Sequence, residues 1–284
     1  MKSYRQEFIT IISWAIAALL VFIIGLEVWG GWHDEWSGYN KNIEKGISDG
    51  SCNIAVLPII GEIIPYADAN YDGSGNEPTP SANPDDVLAA LRTAEADENI
   101  RGVLVRIDSG GGTPAASETI ANAVKRSSLP TVALIRETGT SGAYLVATGA
   151  KTIIASFFSD IGSIGVSMSY LDNTAKNIKE GLRYIPLISA QFKDYGSRDK
   201  PLTSAERSLI ERDLKIFHEQ FVKEVAENRN LPIEQVAKLA DGASMPGSLA
   251  LKNNLIDALG DQETARVWFA EELKIPPEDV VFCE

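Results

Sequence analysis

Cysteine and histidine are nearly missing from this 284-residue sequence, which has two of each: Cys52, Cys283, His33 and His218. Two cysteines exclude a scaffold held by several disulfides, and so few ligands leave almost nothing from which to build a structural zinc site. Positive charge is also in short supply. Lys and Arg number 26 against 39 Asp and Glu, a formal net charge of −13, the wrong sign for a surface that binds phosphates, so no nucleic acid partner is expected. No repeat of fixed period is visible, which excludes solenoids. What is present is apolar: 44% of residues are hydrophobic and 23% charged, too apolar for a disordered chain and enough for one large or two small domains.

From Phe8 to Leu26 the chain reads FITIISWAIAALLVFIIGL, 19 residues without a charge. At about 1.5 Å per residue, a helix of that length roughly matches the ~30 Å hydrocarbon core of a bilayer. A cleaved signal peptide has a shorter apolar core and then a small-x-small site. Here Gly25-Leu26-Glu27-Val28-Trp29 is a poor cleavage site, so the segment is expected to remain as a single transmembrane helix, with residues 8–26 in the lipid bilayer. Lys2 and Arg5 precede it, while Glu27, Asp34 and Glu35 come after it. The positive-inside rule then puts the amino terminus in the cytoplasm and the remainder of the chain on the outer side of the cell membrane. Trp29, Trp32 and Trp36 fall where aromatic side chains sit at the lipid–water boundary. An oxidising compartment makes a Cys52–Cys283 disulfide permissible; two separate buried thiols are the alternative.

The chain divides into three segments: a cytoplasmic stub with its anchor over 1–29, a juxtamembrane linker over 30–51, and a folded domain over 52–284. Ile54 to Ile64 is an apolar, β-rich run, and Tyr71 to Asn83, rich in Gly, Pro, Ser and Asn, is a loop. Asn83-Pro84-Asp85-Asp86 supplies an N-cap, a first-turn proline and two acids at the positive end of a helix. A strand is predicted at Gly102–Ile107, then the glycines 110–112, a helix from about Pro114 to Arg126, a strand at Thr131–Ile135, and a turn into a helix near Gly142. This alternation is the signature of an α/β fold. Thr203-Ser204-Ala205-Glu206 is a capping box, and Ile210, Leu214, Phe217, Phe221 and Val225 recur at helical spacing, predicting one long amphipathic helix in a helical C-terminal part. His218 lies in that helix with no partner ligand around it and is assigned no catalytic role.

Two glycine-rich turns, Ser109-Gly110-Gly111-Gly112-Thr113 and Gly139-Thr140-Ser141-Gly142-Ala143, each come after a strand and open a helix. Successive backbone N–H groups at such a place can face an oxyanion or a phosphate. Neither turn matches GxGxxG or ends in GK[ST], which disfavours a nucleotide. A serine at the centre of a strand-to-helix turn suits a nucleophile, and Ser141 is that serine, although turn serines also serve as helix N-caps. Its base cannot readily be histidine, since His33 adjoins the membrane and His218 lies within a helix; lysine is the other common solution. A lysine base must be neutral, and Lys193 has the aromatic neighbours Phe192 and Tyr195.

The residues Val105-Arg106-Ile107-Asp108-Ser109-Gly110-Gly111-Gly112, Ala116-Ser117-Glu118-Thr119-Ile120, Thr140-Ser141-Gly142-Ala143-Tyr144 and Gly162-Ser163-Ile164-Gly165-Val166 occur in this order. Together with Ala240-Asp241-Gly242 and Asn254-Leu255-Ile256-Asp257, they resemble the signal peptide peptidase A family of membrane-bound serine-lysine proteases. The resemblance covers roughly Cys52 to Phe269 and implies a Clp/crotonase-like domain of repeated ββα units. It implies that Ser141 is the nucleophile of a serine endopeptidase, that Lys193, 52 residues later, is the general base, and that Ser163 orients the lysine amine. The backbone N–H groups of Gly142 and of Gly111 or Gly112 would form the oxyanion hole. Neither metal nor organic cofactor is implied. The implied partners are peptides, such as cleaved signal peptides and other hydrophobic segments, and further copies of the chain in a homo-oligomer, with serine and lysine contributed within or between subunits. Gly110 stands where the family usually has proline, and Ala143 where it has a second glycine. Rival readings are a stomatin-operon type of serine-lysine membrane protease, a catalytically silent peptide-binding scaffold, and, with less in its favour, a crotonase-type acyl-CoA enzyme.

Overall fold

The apolar run after Cys52 becomes strand β1 (Ile54–Ile63), and Ser81–Ala82 pairs with its far end as β2. The computed structural model describes residues 51–66 and 80–283. The predicted anchor, nearly all of the linker and most of the predicted loop at 71–83 lie outside them. Among the described residues no helix is long and apolar enough to cross a membrane. Asn83 caps α1 (Pro84–Ala96) by accepting from the Asp86 N–H at 3.0 Å, with Pro84 in the first turn as the tetrapeptide predicts. Then come β3 (Gly102–Gly112), α2 (Pro114–Lys125), β4 (Thr131–Thr140), α3 (Gly142–Thr148), β5 (Thr152–Ala155) and β6 (Asp160–Gly162). The remainder holds α4 (Thr174–Lys179), α5 (Ser204–Arg229), α6 (Ile233–Leu239), β7 (Ser244–Pro246), α7 (Gly247–Lys252), β8 (Ala258–Leu259), α8 (Gln262–Leu273) and β9 (Phe282–Cys283).

The sheet runs β2-β1-β3-β4-β5-β8, each neighbour parallel to the next. Strand β6 adds parallel to the end of β4 and carries β7 antiparallel, while β9 lies parallel to the start of β1. Parallel pairing needs crossovers that cover the faces, so the strands are apolar in unbroken runs rather than alternating. On one face Ile54, Leu104, Val132, Leu134 and Ile154 pack with Ala265 and Phe269 of α8. The opposite face carries Leu57, Ile59, Val105, Ile107 and Ile135, all buried. There α3 packs against β3 and β4, and α1 against β1.

Two predicted boundaries move. β3 runs on through Gly112 and β4 through Thr140, because pairing resumes after a slip in register: between Ile60 and Glu62 on β1, and between Ile107 and Ser109 on β3. Such irregularities bend a strand and redirect its far end. The apolar stripe of α5 is buried only over its last turns, at Phe221, Val222, Val225 and Ala226, whereas Phe217 is 51% exposed. Apart from buried Glu206, the first half of that helix is exposed or half-buried.

Cys52 and Cys283 form a disulfide. The pairing of β9 sets Cys283 opposite Ala55, and the two cysteine Cα atoms lie 5.2 Å apart. The bond ties together positions 231 residues apart. A loop that long restricts the unfolded chain strongly, and native disulfides typically contribute about 2–4 kcal/mol. Replacing both cysteines with serine is therefore expected to lower the unfolding free energy by about 2–4 kcal/mol. Denaturant melts under non-reducing conditions check this, and an unchanged midpoint would show that the clamp contributes nothing.

Candidate active site

Ser141 occupies the single residue between β4 and α3, with φ 52° and ψ −127°. A residue with a Cβ rarely adopts positive φ, and holding it there costs about 1–3 kcal/mol. The surroundings impose it: the Ser141 N–H donates to Gly162 O at 2.7 Å, and its carbonyl accepts from the Leu145 N–H at 3.1 Å. Ser141 stands at the N-cap position of α3, but its hydroxyl makes no capping hydrogen bond.

The end of β3 presses against this turn. Gly111 has φ +94°, and a Cβ there would stand 2.7 Å from Gly142 N and 2.9 Å from Ser141 Cβ. A Cβ on Gly112 would meet Ile63 O at 2.0 Å. The Gly111 N–H donates to Ser109 Oγ at 3.0 Å, and that hydroxyl donates to Gly61 O at 2.6 Å. Gly111's N–H is thus committed to a buried serine, while Gly112 N lies 3.4 Å from the place a Gly142 Cβ would take. Gly142 opens α3, where the first N–H groups have no acceptor within the helix. The amides of Gly112 and Gly142 are therefore gathered beside Ser141.

Ser163 comes directly after Gly162, with φ 48°. Its Oγ donates to Gly242 O at 2.9 Å, and its N–H to Ala243 O at 3.1 Å. The same 240–243 segment accepts from His218 Nε2 at Ala240 O, 2.9 Å away, which gives that histidine a structural task. Ser141 and Ser163 thus belong to adjoining turns joined through Gly162.

The structure gives Lys193 no direct bond to this group. No hydrogen bond joins it to Ser141 or Ser163, and among the described residues no ion pair holds its amine. Its own segment is fastened elsewhere: Asp194 accepts from Lys200 Nζ at 3.0 Å and from the Tyr184 hydroxyl at 3.1 Å. Lys200 also pairs with Glu206 at the start of α5, and these two carboxylates raise its pKa, Glu206 foremost. Tyr144 of α3 is fully buried and donates to Leu255 O at 2.8 Å; burial pushes its phenol pKa up. Among the described residues no cluster of three His, Cys, Asp or Glu is placed to hold a metal. Sequence reasoning does not single out Ser109 and Gly162 as site residues, although both stand inside the quoted motifs.

Residues 123–276 match the peptidase family S49, just over half the chain. The chain belongs to peptidase family S49. It is 33% identical over 218 residues to the Methanocaldococcus jannaschii protein named "Putative protease MJ0651", covering 76% of this chain and 69% of that one. It is 28% identical over 249 residues to "Putative signal peptide peptidase SppA" of Enterococcus faecium, covering 86% and 71%. To "Serine protease SPPA, chloroplastic" of Arabidopsis thaliana it is 24% identical over 247 residues, covering 86% and 36%. The S49 chain is a serine peptidase of the signal peptide peptidase A kind, and its mixed α/β fold with a parallel-rich sheet fits that family.

For this S49 peptidase, Gly111→Ala forces a Cβ into the Gly142 amide and is expected to cut activity by ~100-fold. Gly110→Ala, whose Cβ would meet nothing within 4 Å, leaves activity near the parent's; equal activities of the two variants in a peptide-cleavage assay would refute the contact. Separately, the hydrogen bond from Lys200, then that from the Thr203 N–H, hold the Glu206 carboxyl at about 2, below its ordinary 4.5. A depressed carboxyl stabilises the fold above its ordinary value and loses that contribution as pH falls through the folded one. Glu206→Gln should accordingly flatten the loss of thermal stability between pH 4.5 and 2; melts at stepped pH that superimpose on the parent's would contradict it.

Proposed function

We propose that this chain is a membrane-anchored endopeptidase that hydrolyses cleaved signal peptides and other hydrophobic peptides with a Ser141–Lys193 dyad on a Clp/crotonase-like domain. The observation that carries the reading is Ser141: a strained serine at a strand-to-helix turn, its hydroxyl unused as a cap, with glycine amides gathered beside it. Neutral Lys193 takes the Oγ proton as Oγ attacks the scissile carbonyl, and the carbonyl oxygen becomes an oxyanion held by the N–H groups of Gly142 and Gly112. The protonated amine gives its proton to the leaving amine. Water, deprotonated by the same lysine, then hydrolyses the acyl-enzyme. Ser163 fits the orienting role because its proton is given to Gly242 O, which leaves oxygen lone pairs free to accept from a lysine amine.

Three observations support the remainder. The disulfide favours an oxidising compartment, in keeping with an exocytoplasmic domain behind an anchor at 8–26. The segment bearing Lys193 is apolar yet uncovered, with Leu187 95% and Leu171 70% exposed. The unburied half of α5 adds to it, which favours a homo-oligomer whose neighbouring copy receives Lys193 beside its own Ser141. Peptide substrates accord with membership of the peptidase family.

The test is cleavage of a signal-peptide-like fluorogenic peptide by the full chain in detergent. Ser141→Ala and Lys193→Ala are each expected to lower turnover by ~10³-fold or more, and mixing the two inactive variants should restore part of it. Full activity in Lys193→Ala would remove lysine 193 from the dyad, and mixing without recovery would place both residues in one subunit.

A further inference from the structure

Ser117, in the first turns of α2, is fully buried, and its Oγ has no hydrogen-bond partner. A serine inside a helix commonly returns its hydroxyl to the carbonyl one turn back. Thr119 of the same helix does so, donating to Ala115 O at 2.7 Å. Ser117 does not: Thr113 O receives its backbone N–H at 3.1 Å, and its hydroxyl turns toward α3. There a Cβ on Gly142 would stand 2.1 Å from Ser117 Oγ and 3.4 Å from Gly112 N. The hydroxyl therefore fills the space where a Gly142 side chain would stand, with the Gly112 amide bordering the same space. Leaving a buried hydroxyl unsatisfied destabilises the fold, a cost alanine would avoid, and such a group calls for an explanation in function or in an unseen partner.

We infer that Ser117 is a positioning residue of the oxyanion hole, whose hydroxyl packs against Gly142 and gains an acceptor in the Gly112 carbonyl as that loop settles around the tetrahedral oxyanion, leaving the Gly112 N–H to the oxyanion. The inference rests on the reading of Ser141 as nucleophile. A hydrogen bond absent from the resting enzyme and made in the tetrahedral state speeds the chemical step without tightening substrate binding. It also sets stability and activity in opposition, since the same hydroxyl burdens the free fold.

The experiment compares the full-length parent, Ser117→Ala and Ser141→Ala in cleavage kinetics, thermal melting and binding of a peptidyl boronate, which forms a tetrahedral adduct with serine. Ser117→Ala removes atoms and adds none, so it is expected to fold. The expected result is a kcat lowered about five- to tenfold, KM within twofold, boronate affinity lowered by the same factor as kcat, and a melting temperature equal to or above the parent's. An unchanged kcat, with Ser141→Ala inactive, overturns this inference alone. A fall in kcat accompanied by a lower melting temperature and unaltered boronate affinity also overturns it, by making the role structural. Turnover that persists in Ser141→Ala overturns both readings, since no oxyanion would then form at that turn.

Discussion

Gly111 and Gly142 approach so closely that neither has room for a side chain, and the catalytic end of the sheet is arranged around that contact. A Cβ on the first would meet the amide of the second at 2.7 Å, and a Cβ on the second would meet Ser117 Oγ at 2.1 Å. Neighbouring strands in a regular ladder leave about 4.8 Å between backbones and space for side chains above and below. The closer approach becomes possible because β1, β3 and β4 all slip register just beyond their last apolar pairs. Upstream of the slip the strands are locked between α8 and the helices of the other face. Downstream, the same strands are free to converge. The rigid half of the sheet thereby supports the strained half, and the strain is concentrated at Ser141 rather than spread along β4.

The convergence is held by neutral groups. Ser109 links Gly111 to Gly61, Gly162 O holds Ser141, and Ser163 reaches Gly242. Hydroxyls and backbone amides keep their hydrogen-bonding capacity across a wide pH range, and they place no fixed charge at the proposed dyad. The charged network of Lys200, Asp194 and Glu206 stands outside this group and organises the Lys193 segment instead. Charge fastens the carrier of the proposed base, while neutral contacts shape the proposed nucleophile's turn.

Much of the α/β core was legible in the sequence because parallel strands covered on both faces need continuous apolar residues, which Val103–Ile107 and Val132–Ile135 supply. The caps at Asn83 and Thr203 were legible for a local reason: the acceptor and the donor lie within three residues. Strand ends were not. Gly110–Gly112 and Arg136–Thr140 have poor intrinsic strand preference and are drawn into the ladder by neighbours distant in sequence, which local pattern does not register. The short strands β7, β8 and β9 escaped for the same cause. The serine turn was legible from its glycines and position, and Lys193 and Ser163 gained their roles through family resemblance, since spacing by itself makes neither distinctive. Ser109 and Ser117 stand inside the quoted motifs, where sequence alone gives neither a role of its own. Their significance lies in what their hydroxyls face, which only the folded backbone decides.

The uncovered apolar surface bears on how such a site is kept in check. Leu171, Ile185 and Leu187 expose most of their side chains, and each would contribute about 1.5–3 kcal/mol if it were fully buried. Within one chain that free energy is not realised, because hydrogen bonds fasten the 167–200 segment mainly to itself and to the start of α5. In the proposed assembly the same burial that joins subunits would also bring a lysine to a serine. Activity would then depend on subunit concentration through mass action, as any property gained on association does. A lone subunit would carry a strained serine and its amides without a base beside them, so hydrolysis would be withheld until neighbours had docked. An exposed, inactive half-site and an apolar docking surface are, on this view, one device seen from two sides.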